Sequence, residues 1–259
     1  MTITVQTSKE RWKDLSEDSA LPHILKALDQ TPQRTPEWWK RRSNCLSGSK
    51  LSQLLFIESE DQMVAYREEV MGLRPRPPLD ERGKQNVEWG VTNEPNATAT
   101  AVYHLPDIKV WEVGFEKHAT HSWFGSSPDG VVYWPGRGYG AMEIKCSTKK
   151  NKKGENVPHQ GVPYYYISQL HAEMRCLPID NCNWTLFVSW STTTTKMYIV
   201  QFDDDYFSVL WDCMVDFMAG DVSYEVWRIK QAKLAAASRE VARNAIPLGT
   251  FASCMLEQT

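Results

Sequence analysis

Ser126-Ser127-Pro128-Asp129-Gly130-Val131-Val132-Tyr133-Trp134, a turn through Gly136-Arg137-Gly138, then Tyr139-Gly140-Ala141-Met142-Glu143-Ile144-Lys145-Cys146: this stretch decides the fold. Its two apolar runs, VVYW and AMEI, are rich in β-branched and aromatic residues and bounded by turn residues, so they read as neighbouring strands. Paired strands over 131–134 and 139–146 bring Asp129 and Glu143 to one end of a sheet. Glu143 and Lys145 lie two apart on a strand and share a face, while Ile144 turns into the core. Two hard oxygen ligands beside an amine describe a Mg2+ or Mn2+ centre. Both carboxylates and the Ile144 carbonyl hold the ion, and Lys145 orients or helps deprotonate a water. A plainer reading competes, in which a turn aspartate precedes a surface Glu/Lys ladder. The apolar runs weigh against it, because they set both acids at the edge of a core, where unpaired carboxylates are costly.

Working outward, DIKVWEVGF (107–115), SWFGSSPDGVVYW (122–134) and YGAMEIKCS (139–147) read as an antiparallel meander of three strands. Downstream, Tyr164 to Leu177 reads as a helix, and CNWTLFVSWS and KMYIVQF as two more strands. Asp203 starts an amphipathic helix with the stripe Tyr206, Leu210, Met214 and Phe217, leaving Asp212 and Asp216 outside it. VSYEVWRIKQAKLAAASREVARN is a last helix, ended by Pro247-Leu248-Gly249. Upstream, LPHILKALDQ and TPEWWKRR read as short helical or capping segments, and Ser47-Gly48-Ser49 as a helix start suited to an anion. GLRPRPPLDERG is a loop; Glu81 to His104 is helical, with a kink or restart expected at Pro95. The fold class is therefore α+β or mixed α/β, a central mixed sheet flanked by helices in one domain over 1–259. Residues 1–20 are expected to be partly disordered, 34–202 to hold the motifs, and 203–259 to form C-terminal helices.

A chain of 259 residues with 42% hydrophobic and 24% charged residues can bury a core, which excludes disorder, coiled coil and collagen. No apolar run approaches the roughly 18 residues of a membrane span. MTITVQTSKERWKD carries no secretory apolar segment, so an intracellular protein is expected, in the cytoplasm or nucleus of a host cell. Cys45, Cys146, Cys176, Cys182, Cys213 and Cys254 lack C-x-x-C spacing and read as free buried thiols. Zinc is not indicated, and an iron–sulfur site on Cys45, Cys176, Cys182 and Cys213 is the weaker reading. The net charge of −3 hides a polarity: Arg34 to Lys50 holds five basic residues against Glu37 alone, and Arg137 to Gln160 six against two. Residues 201–227 hold seven acids and no Lys or Arg. Separated surfaces of this kind let one side bind nucleic acid, although solvated loops give the same counts.

Five segments in order carry a resemblance: Trp38-Trp39-Lys40-Arg41-Arg42 with Ser47-Gly48-Ser49, Trp89-Gly90 with Glu94-Pro95, Ser127-Pro128-Asp129-Gly130, Glu143-Ile144-Lys145-Cys146, and Gln169 within Tyr165–Leu170. In this order they resemble the lambda exonuclease family, the YqaJ-type viral recombinases, within the PD-(D/E)xK nucleases. The resemblance runs from Trp38 to about Phe202. It implies a restriction-endonuclease-like core and a Mg2+-dependent, two-metal exonuclease, Mn2+ substituting. Such an enzyme digests linear double-stranded DNA 5′→3′ from a phosphorylated end and leaves 3′ single strands for annealing-type recombination. Asp129, Glu143, Lys145, Glu94 and Gln169 are the implied catalytic set, with Asp129, Glu143, the Ile144 carbonyl and Glu94 toward metal. Arg42, Ser47 and Ser49 match the terminal-phosphate site. Arg42 offers a planar fork suited to phosphate; Trp38 is left between base stacking and core packing, and Trp39 is expected in the core. A homotrimer, a single-strand annealing partner and a viral or phage source are also implied. A structure-specific endonuclease of the same group and a non-catalytic DNA-binding recombination factor remain as alternatives.

Overall fold

The computed structural model describes residues 23–256. The expected disorder of residues 1–20 lies outside them. A six-stranded sheet forms the centre. It comprises β2 (Lys109–Trp111), β5 (Gly130–Trp134), β6 (Gly138–Cys146), β7 (Trp184–Trp190), β8 (Thr194–Gln201) and β9 (Ile246–Ala252), adjacent in that order. All pairs are antiparallel except β6 with β7, as expected of a mixed sheet. The β5–β6 hairpin turns on Gly136 and Gly138 at φ 83° and 77°, a left-handed backbone that glycine adopts without a Cβ clash.

Alternation along these strands sorts the two faces. Met142, Ile144, Leu186, Val188, Met197 and Ile199 point to one side, where Ala97 and Ala101 of α4 (Glu81–His104) cover them. The opposite side carries Phe187, Tyr198 and Val200, packed with α5 (Ile167–Cys176), α6 (Asp204–Ala219) and α7 (Tyr224–Arg243). Fully buried side chains of this kind contribute roughly 1.5–3 kcal/mol each. Asp203 caps α6 by accepting from the Tyr206 N–H at 2.8 Å, and Tyr206, Leu210, Met214 and Phe217 are its buried stripe. Shorter elements complete the chain: α1 (His23–Lys26), α2 (Pro36–Arg42), a 3-10 helix over Gly48–Phe56 and α3 (Glu60–Val70). β1 (Leu46–Ser47), β4 (Phe124–Ser126) and β3 (Glu116–Lys117) form a separate small sheet.

Several expectations change. The meander exists as β2-β5-β6, but Phe124–Ser126 leaves it for the small sheet, where it lies parallel to β1. Pro95 neither ends nor restarts α4, which runs through it. The Pro-rich loop ends at Asp80, whose carboxylate caps α4 by accepting from Gly83 N–H at 2.7 Å. Pro247-Leu248-Gly249 lies within β9 and does not stop the last helix, which closes at Asn244. An edge strand tolerates Pro247 because its outer side needs no ladder donor. All six cysteines are free, and five are buried. Cys45, Cys182 and the pair Cys176 and Cys213 fall in three different packing clusters, which scatters the four weighed for an iron–sulfur site. Among the described residues no helix is long and apolar enough to cross a membrane.

Candidate active site

Strand alternation decides where the chemistry lies. Ile144 packs under α4, so Glu143 and Lys145 must face α5. Asp129 stands just before β5, and its Oδ2 accepts from the Ile144 N–H at 2.7 Å, extending the β5–β6 ladder with a side chain. In a strand the N–H and C=O of one residue point the same way, so the Ile144 carbonyl also turns toward the end where β5 has stopped. Two carboxylates and a carbonyl thus converge at one end of the sheet.

Helix α5 fixes these groups from above. Gln169 donates from Nε2 to Glu143 Oε1 at 2.6 Å and to Glu173 Oε1 at 2.8 Å, while its Oε1 accepts from Lys145 Nζ at 3.3 Å. Lys145 Nζ also donates to Glu143 Oε1 at 2.5 Å and lies 4.8 Å over the Tyr166 ring. Burial works against the Lys145 ammonium, but Glu143, Tyr166 and Asp129 outweigh it and hold its pKa above the ordinary lysine value. The amine is therefore a charged donor here. Burial, then Glu143 and Glu94, push the Asp129 carboxyl well above its usual range; burial and Glu143 do the same to Glu173.

These groups floor a cleft of about 840 Å³ whose far wall is α4, including Arg82, Asn86 and Glu94. Glu94 is bound to Arg34 at 2.6 Å. At one side Arg42 Nη2 donates to Ser47 Oγ at 3.0 Å and to Ser49 Oγ. Both hydroxyls accept from arginine, which leaves the Ser49 proton for an incoming anion. Burial and Arg76 lower the Arg42 pKa to about 10, still charged at neutral pH. Gly48 is required between the serines, because a Cβ there meets Ser126 Oγ at 2.3 Å. No residue of the acidic segment 201–227 lines this cleft.

The donor set suits a hard divalent cation. Asp129, Glu143 and the Ile144 carbonyl are hard oxygens, and Glu143 Oε2 is buried with no hydrogen-bond partner. Among the described residues no three His, Cys, Asp or Glu side chains group closely enough to hold a metal between them. Two carboxylates plus a carbonyl match Mg2+, which keeps several waters and binds through one or two acids.

The structure brings Asp129, Glu143, Lys145, Gln169, Glu94, Arg42 and Ser49 to one cleft, with buried Ser47 behind Arg42. It settles Trp38 in the core and turns Trp39 outward. Trp38 is 3% exposed, packs on Phe115 and donates from Nε1 to Ser127 Oγ at 3.2 Å, so it has no face for a base. Its ring supports the Arg42 guanidinium at 4.8 Å instead. Trp39, expected in the core, is 52% exposed.

Sequence reasoning missed Glu173 and His159. Glu173 lies one helical turn past Gln169, a spacing that could have shown it. His159 lines the cleft. The Ser189 hydroxyl oxygen lies 2.8 Å from both the His159 N–H and Nδ1. That oxygen accepts from the N–H and shares a second hydrogen bond with Nδ1, which fixes the ring against β7. Burial, then Lys149 and Lys145, lower its pKa to about 4. No local pattern marks this histidine.

The fold and the sequence resemble those of known proteins. Uncharacterized protein R354 of Acanthamoeba polyphaga mimivirus is 24% identical over 175 residues, 62% of this chain. The chain spans only 30% of that curated relative's length. Among solved structures, an alkaline exonuclease (LHK-Exo) from Laribacter hongkongensis superposes with TM-score 0.54 at 23% identity, over 81% of this chain and 100% of that one. The same exonuclease in complex with dAMP gives TM-score 0.50 at 23% identity, over 81% and 97%. The architecture is thus that of the alkaline exonuclease structure. Residues 37–192 match the YqaJ-like viral recombinase domain, more than half of the chain and all of strands β1 to β7. The chain belongs to the YqaJ-like viral recombinase family.

Proposed function

We propose that this protein is a Mg2+-dependent deoxyribonuclease that digests linear double-stranded DNA 5′→3′ from a phosphorylated end, leaving a 3′ single strand. One observation carries the reading: the Asp129, Glu143 and Lys145 set lies in the same cleft as an arginine backed by two serine hydroxyls. Family membership and the alkaline exonuclease fold support it.

Asp129, Glu143 and the Ile144 carbonyl would hold Mg2+, which when bound polarises a phosphoryl oxygen and supplies a nucleophilic water. Glu94, paired with Arg34, would be the residue to hold a second ion once released from that pair. Gln169 holds Glu143 and Lys145 in register, and the Lys145 ammonium offers its remaining proton to the attacking water or the scissile phosphate. Arg42 takes the terminal phosphate, with the Ser49 proton directed to the same oxygens and buried Ser47 holding the guanidinium from behind. A terminal monoester carries more charge than an internal diester, so this corner selects ends and favours the exonuclease over an endonuclease of the same group. The neutral His159 ring lines the same cleft and is a further polar contact for the DNA backbone.

Lys145→Ala should abolish cleavage while the affinity for duplex ends in EDTA stays within about threefold, as for loss of an interaction made only in the transition state. Joint loss of binding and cleavage would instead assign Lys145 a contact or folding role. Calorimetric titration with Mg2+ should give binding heat for the native chain and none for Asp129→Asn/Glu143→Gln; no heat from the native chain would favour a non-catalytic DNA-binding factor.

A further inference from the structure

A second cleft, of about 770 Å³, lies beside the first. Lys196 on β8 and Arg239 and Arg243 on α7 line it, and no carboxylate does. Among the described residues none of the three cations is held in a salt bridge. Lys196 Nζ donates to Gln160 Oε1 at 2.6 Å, and the Arg239 guanidinium lies 4.5 Å over the Tyr164 ring. Arg239 and Arg243 are one turn apart on one helix face, about 6 Å along the axis. The charge is a ladder, suited to a polyanion more than to a single small anion.

The two clefts share one wall. His159, Tyr165 and Tyr166 face the catalytic cleft, while Gln160 and Tyr164 face the second. A strand separated from its complement at the catalytic floor meets this positive surface on the far side of the 159–166 segment.

We infer that this groove binds single-stranded DNA, namely the strand complementary to the one being cut, as it leaves the catalytic cleft. The inference rests on the nuclease reading above. The Tyr164 and Arg239 pair offers a flat cationic platform, and a base can stack there only when its face is free of neighbours, as in an unpaired strand.

The test is fluorescence anisotropy with a labelled oligothymidylate in EDTA over a range of salt, comparing the native chain with Arg239→Gln/Arg243→Gln. Both side chains are exposed and only the Arg239 contact with the Tyr164 ring is lost, so the melting temperature should fall by no more than a few degrees. The variant should bind about tenfold more weakly or worse, and the slope of log affinity against log salt should fall by about 1.4, from ~0.7 per lost contact on a single strand. Unchanged affinity and slope would overturn the inference. So would a changed sedimentation coefficient of the variant, since the groove would then be a contact between copies of this chain. Cleavage plays no part in the assay. Failure of the nuclease reading appears separately, as failure of the native chain to digest linear duplex.

Discussion

Replacing Arg42 with alanine removes the guanidinium that two serines hold at the proposed terminal-phosphate corner, and no hydrogen bond ties that guanidinium to Asp129 or Glu143. The Arg42 guanidinium donates to Ser47 Oγ at 3.0 Å and to Ser49 Oγ, so a bound phosphate would meet a fork already held in place. A hydrogen bond to a charged group contributes about 1.5–3 kcal/mol. Loss of that amount from the transition state lowers kcat/KM about 10- to 150-fold on 5′-phosphorylated duplex. A 5′-hydroxyl end never makes the contact and loses nothing, so the preference for phosphate shrinks by the same factor. The change also removes the guanidinium from over Trp38, at a cost to stability of about 0.5–1 kcal/mol. The assay is therefore initial rates on matched duplexes with either end, at a temperature where melting curves show the variant folded. Arg42→Lys, which keeps the charge but not the fork, should fall between the two. An undiminished preference, or an equal loss on both ends, would refute the assignment.

Other expectations follow from the same geometry. Gly48→Ala forces a Cβ to within 2.3 Å of Ser126 Oγ and should destabilise by about 1–3 kcal/mol, measured by urea denaturation; a native midpoint would mean that this approach is not as tight as described. His171 donates from Nδ1 to the Ile167 carbonyl and accepts the Asp203 N–H at Nε2, so burial holds it neutral and lowers its pKa to about 4. Its folded pKa lies below the unfolded value near 6.5, so the stability it contributes is present above that pH and is lost on acidification toward 4. An NMR titration of the His171 ring should show no protonation at pH 6, and an inflection near 6.5 would contradict the burial argument. Asp129→Asn keeps an oxygen for the Ile144 N–H and relieves the repulsion from Glu143 and Glu94. Its melting temperature should rise in EDTA and no longer respond to Mg2+; a fall in EDTA would mean that the repulsion is not felt.

The site was legible in sequence because its parts lie close together on two strands with strong periodicity. Asp129, Glu143 and Lys145 are placed by alternation alone, and the apolar stripe of α6 by helical spacing. What was lost depended on contacts between distant segments. Trp38 and Trp39 are neighbours on a seven-residue helix, too short for periodicity to choose which faces in; Phe115, far along the chain, makes the choice. β9 shows no alternation because most of its residues are exposed, so Pro247 and Gly249 read as a helix stop. α3 is a charged helix with three scattered buried residues and went unnoticed. Glu173 and His159 acquire meaning only once α5 and the 159–166 segment lie against β6 and β7.

The central claim is that this cleft removes nucleotides from the 5′ ends of linear duplex. Its most direct test is digestion of linear double-stranded DNA labelled at the 5′ or the 3′ end, with Mg2+ or with EDTA, beside a closed circle. The account predicts early release of the 5′ label as mononucleotide, only with Mg2+, while the circle survives. Cutting of the circle, or early release of the 3′ label, would contradict it.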